Sequence, residues 1–188
     1  NRQLPPWMFV HDIEFGLAIQ WYHILREEDR EAIGSKMIWG EEGRIPSGLP
    51  GGLTDRFLSA ALDLLREYRN TIAHGERVFP DEMTVQLPLD DLLLILPDGI
   101  LRPDEYRNGT GRKDAFACLL AVVLFIHDPV LILSFLTETR SQLDFAYQIR
   151  QTMAPESLDS YRILGIPDFT VDRLIRLFPK VELIFVES

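Results

Sequence analysis

The stretch "REYRNTIAHGERVF", residues 66–79, brings Arg66, Arg69, Asn70 and His74 close together in sequence. Arginine offers phosphate oxygens a rigid fork of donors, and histidine titrates near neutral pH, where it can take or give a proton. Together they could balance charge and move a proton while a phosphodiester bond of RNA is cleaved. The RNA brings its own nucleophile, the 2′-hydroxyl, so neither a metal ion nor a catalytic serine is required. No cofactor and no metal site are expected.

The stretch ends a predicted helix. At about 100° per residue, Arg66, Asn70 and His74 share one stripe, Asp63 lies a turn before them, and Arg69 stands on the flank. The apolar positions Phe57, Ala61, Leu64, Leu65, Tyr68 and Ile72 recur at three- and four-residue spacing on the other side, so core packing does not explain the polar set. Two readings stay open. One is a solvated face with its cations near a helix C-terminus, where the macrodipole favours them. The other is a phosphate site, for which one helix is a poor clamp because Arg69 and His74 point about 140° apart.

The elements that must hold this stripe read as helices. Pro5-Pro6 opens a long first helix in which Met8, Ile13, Phe15, Leu17, Ile19, Tyr22 and Leu25 form a wide apolar face. "EEDREAIGSKMIW" adds a short helix with an acidic start, and the glycines and prolines of residues 40–52 make a loop. Thr54 is the expected N-cap of the polar-striped helix, and Gly75 its terminator. Met83 to Leu87 could be a short strand, which leaves room for a small hairpin-like insertion. Helices follow from Asp114 to Ile126 and from Asp128-Pro129 to about Arg150. Residues 156–167 and 170–178 supply two short helices, and "VELIFV" a last strand or extended tail. The fold class is mainly α, with helices packed on helices.

Composition limits the partners. The 188 residues, 46% hydrophobic and 26% charged, suit one globular domain. A net charge of −10 excludes broad non-specific binding of nucleic acid, so any such contact must be local. The single cysteine, Cys118, excludes a disulfide framework and points to a reducing cytoplasm. The start lacks the pattern of a signal peptide, and the longest apolar run, Ala115 to His127, is too short to span a bilayer. His11, His23 and His127 sit singly on apolar segments and are read as core or interface residues. "NGTGRK", residues 108–113, is read as a turn with a solvated basic end.

"RNTIAHGER" resembles the R-N-x-x-x-H motif of the HEPN superfamily, and "LPPWMFVHDIEFG", residues 4–16, resembles the "PxW…E…FG" segment that precedes it in Abi-like proteins, a HEPN branch of bacterial abortive-infection factors. The resemblance covers residues 4 to about 79. It implies a HEPN-like helical bundle, 1–188 as one domain lacking the N-terminal region of its parent, and a ribonuclease site shared across a homodimer. Arg69, Asn70 and His74 are then the expected catalytic set, with Arg66, Arg77 and Glu14 as substrate-binding members. The implied activity is a metal-independent, cytoplasmic endoribonuclease of antiphage defence or a toxin, with RNA as substrate and an antitoxin, protein or RNA, as a candidate partner. The alternative is a non-catalytic HEPN module that binds RNA, a nucleotide or a protein. Glu76 stands where HEPN toxins controlled by adenylylation carry tyrosine.

Overall fold

A helix with one apolar stripe must bury it, and the stripe from Phe57 to Tyr68 does so in the middle of the molecule. In the computed structural model, which describes residues 14–40, 46–76, 83–153, 164–167 and 169–178, eight helices follow one another and no strand occurs among the described residues. They are α1 (Phe15–Ile24), α2 (Glu27–Trp39), α3 (Leu53–Ala73), α4 (Leu89–Ile95), α5 (Pro103–Arg107), α6 (Ala115–Phe125), α7 (Pro129–Met153) and α8 (Thr170–Ile175). Helix α3 touches α1, α2, α4 and α6. Phe57, Ala61, Leu64 and Tyr68 of α3 pack with Phe116, Leu120 and Ala121 of α6 in one core. Each such large side chain contributes about 1.5–3 kcal/mol by leaving water. Helix α6 is apolar all round, and it is accordingly the most enclosed element.

Two close approaches fix the helices that carry the stripe. Gly34 of α2 lies against the start of α3, where an added Cβ would stand 2.7 Å from the Thr54 carbonyl oxygen. Asp55, one residue on, receives the Tyr22 hydroxyl at 2.9 Å and the Arg30 Nε at 2.9 Å, so α1, α2 and α3 meet on one carboxylate. At the far side Arg56 reaches the nearly buried Asp91 of α4 through two donors, at 2.7 and 3.3 Å.

Several expectations are corrected. Helix α1 begins at Phe15, with Glu14 as its N-cap, and buries only Ile19 and Tyr22, while Phe15, Leu17 and Leu25 stay exposed. Met8 and Ile13 lie outside the described residues. Thr54 does not cap α3. Gly52 holds that place in a left-handed conformation, and Thr54 is buried in the first turn, its hydroxyl donating to the Glu31 carbonyl. Residues 83–88 are extended without strand pairing and run into α4, and the short helix α5 had no counterpart in the sequence reading. Helices α2, α6, α7 and α8 stand close to their expected bounds, whereas "VELIFV" and residues 156–163 lie outside the described residues.

Asp114, where the helix is expected to start, caps α6, accepting the Ala117 N–H at 2.8 Å and the Gly111 N–H at 2.9 Å. Burial nevertheless pushes its carboxyl up to about 7. The native state therefore keeps a proton that the unfolded chain releases near 3.8. Stability should fall as pH rises between those values. Asp114→Asn, which cannot titrate, should gain on the wild type across that interval in urea denaturation. Gly34→Ala should lose about 1–3 kcal/mol in the same assay, because the Thr54 backbone cannot yield as a side chain would. Gly51→Ala, facing open space, should change little.

Candidate functional site

The last turn of α3 closes in a Schellman motif. The Glu76 N–H reaches the Thr71 carbonyl and the Gly75 N–H the Ile72 carbonyl, each at 3.0 Å, with Gly75 at φ +71°. His74 is the residue just before that reversal, so its imidazole leaves the helix end exposed to solvent. Arg66, Asn70 and His74 line one groove of about 350 Å³, within the size range of small-ligand sites.

The opposite wall is the extended segment 83–88, and Glu67 holds it. Its carboxylate accepts the Thr84 N–H at 2.8 Å, the Thr84 hydroxyl at 2.9 Å and the Val85 N–H at 3.0 Å. Burial would raise the Glu67 pKa, but these donors outweigh it and hold the group below its ordinary value. From the other side Lys113 donates to the Met83 carbonyl at 3.0 Å and the Leu87 N–H reaches the Arg112 carbonyl at 2.8 Å. The basic end of "NGTGRK", read as solvated, is therefore structural.

Asp63 ties the floor of the groove to α1. One oxygen lies 3.1 Å from Arg66 Nη2 and the other 3.3 Å from His23 Nε2, while the Arg66 stem passes beside Gly16. His23 thus belongs to the edge of the candidate site, not to the core. His127 likewise is exposed, with Nε2 at 2.9 Å from the Met37 carbonyl. His11 and Arg77 lie outside the described residues.

Arg69 stands apart from the stripe, as helical geometry requires. It is exposed, does not line the groove, and donates from Nη1 to the Asn70 side-chain oxygen at 3.2 Å. Glu14 caps α1 only by its backbone and pairs with none of Arg66, Arg69 and His74 among the described residues. One chain accordingly brings Arg66, Asn70 and His74 together, and leaves Arg69 and Glu14 outside. Glu67 and His23 had no signal in the sequence, since their partners lie 17 and 40 residues away.

Glu67→Gln should loosen the groove wall at a cost of about 1–2 kcal/mol, because a charged acceptor of backbone donors becomes neutral. The contribution is full above the unfolded value of about 4.5 and is lost as pH falls through the lower native value. The gap in stability between variant and wild type should therefore close in acid. Hydrogen exchange at Thr84 and Val85 should speed up in the variant at neutral pH.

No described helix is long and apolar enough to cross a membrane. No curated protein and no solved structure matches the chain. Residues 1–80, which include α1, α2 and α3 up to the Schellman turn, match the family model described as Abi-like protein, and that match supports an Abi-like assignment for this part of the chain.

Proposed function

We propose that the chain is a metal-independent endoribonuclease of Abi/HEPN type, acting as a homodimer in abortive-infection defence. The observation that carries the reading is the exposed His74 at a helix end, in one groove with Asn70 and Arg66, within the span that matches Abi-like proteins. His74 exchanges the proton of the 2′-hydroxyl or of the departing 5′-oxygen, and the guanidinium of Arg69 balances charge on the phosphorus oxygens. The 2′-oxygen bonds to phosphorus as the 5′-oxygen leaves. The products are a 2′,3′-cyclic phosphate and a 5′-hydroxyl.

The need for two copies follows from charge and direction. Within one chain Asp63 neutralises Arg66, and Glu67 and Glu76 add negative charge to the groove, which would repel a phosphate. A second α3 across a two-fold axis brings another Arg69 to face His74. The exposed apolar stripe Leu17, Trp21 and Ile24 on α1, the helix that flanks the groove, suits burial against that second copy. Binding without cleavage is the competing reading, favoured by the separation of Arg69 from the groove of its own chain.

Arg69→Ala and His74→Ala should each lower RNA cleavage by about 100-fold or more. Both residues are exposed, so neither change should shift stability by more than about 0.5 kcal/mol. Mixing the two inactive variants should restore part of the activity, since a mixed dimer retains one arginine and one histidine from different chains. Cleavage should persist in EDTA. An unaltered rate on dilution to monomer would overturn the shared site, and full activity of His74→Gln would overturn the proton-transfer role.

A further inference from the structure

Far from α3 in sequence, Phe169 opens α8 with its ring 76% exposed and φ at +58°. It is the one non-glycine residue with positive φ among the described residues, an unfavourable geometry for a bulky side chain. Packing does not explain it, because the ring points away from the core. Strain of this kind, held in place by its surroundings, clusters at active sites, ligand clamps and switch regions.

The ring stands between two adjoining clefts. One, of about 220 Å³, has Arg102, Arg173 and Arg176 around it, and the other, of about 550 Å³, runs beside Asp144 and Thr170. The smaller cleft is below the usual size of a ligand site, and the pair joined at Phe169 is within it. Two of the acids nearby are already engaged. Glu105 sits between Arg173, at 2.9 Å, and Arg102, at 3.5 Å, and Asp172 receives Arg140. Arg176 is exposed and forms no ion pair among the described residues. A chain of net charge −10 therefore keeps one exposed arginine without an ion pair among the described residues in the same cleft as an exposed aromatic ring.

We infer that this double cleft binds a nucleotide unit, with the base stacked on Phe169 and the phosphate held by Arg176. A ring face with arginines beside it suits any base, because stacking is tolerant of sequence and guanidinium forks fit phosphate oxygens. Arg173, largely committed to Glu105, keeps α5 and α8 at the right separation. The site shares no residue with the groove on α3, and it does not depend on cleavage there. The unit is either a free nucleotide or one residue of single-stranded RNA.

Fluorescence anisotropy of the full chain with a labelled, fully 2′-O-methylated single-stranded 12-mer tests this, since that probe lacks the nucleophile and survives any nuclease activity. Phe169→Ala is expected to weaken binding roughly tenfold, and Phe169→Tyr to keep it. Arg176→Ala should weaken it and lower the slope of log K against log salt by about 0.7. Unchanged melting temperatures show that the variants are folded. AMP titrated in parallel separates the sources: binding of AMP alone, lost in Phe169→Ala, supports the site with a free nucleotide as its ligand. Binding of both probes that is indifferent to Phe169 and Arg176, or no binding of either, overturns the inference. Intact cleavage with indifferent variants would reject this cleft and leave the proposed nuclease standing, whereas loss of binding in these variants of a chain that cleaves nothing would do the reverse.

Discussion

The Asp55 carboxylate is the joint on which the arrangement of the first three helices turns. It takes the Tyr22 hydroxyl from α1, the Arg30 guanidinium from α2 and the Ser59 hydroxyl from its own helix. Burial alone would raise its pKa, yet the Arg30 and Tyr22 donors outweigh that and hold it below the ordinary value, so the charged form is the one the fold needs. The same contact, after desolvation of the ring, pushes the Tyr22 phenol well upward and keeps it a donor. A network of this kind is costly to leave half-made, because removing one partner strands a partly buried charge. Gly34 on Thr54 then sets how closely α2 may lie, and it lies one residue from that carboxylate.

From that joint the position of the groove follows along α3. Asp55 orders the start of the helix, Asp63 two turns later draws in Arg66 and His23, and Glu67 a turn beyond fixes the extended wall. The polar stripe thus serves two ends: its first half fastens α1 and the wall to α3, and its last half, Asn70 and His74, is left to solvent. That division explains why a helix with a complete apolar face carries so many charged groups on the other.

Periodicity made α3 legible because it buries a face wide enough to repeat several times, as Phe57, Ala61, Leu64 and Tyr68 do. The C-terminal Gly75 and the helix start at Asp114 were legible for a local reason, since each needs only its own neighbours. Thr54 misled because a good capping residue was recruited by Glu31 of another helix, and no local rule reports that. The first helix misled in the same way. Phe15, Leu17 and Leu25 have the composition of a core face but stay on the surface. The segment 83–88 looked like a strand because its side chains alternate, yet its partners are the carboxylate of Glu67 and the carbonyl of Arg112, not a neighbouring strand.

Within the candidate site the legible part was the stripe and the illegible part was its electrostatics. Arg66 and His74 are eight positions apart, about 12 Å along the axis, too far for both to hold one phosphodiester. Asn70 lies between them, and its side-chain oxygen already accepts from Arg69. That bond directs Arg69 along the helix surface rather than into the groove of its own chain. A cation held outside the groove that contains the imidazole is the reason the proposed ribonuclease site calls for a second copy of the helix.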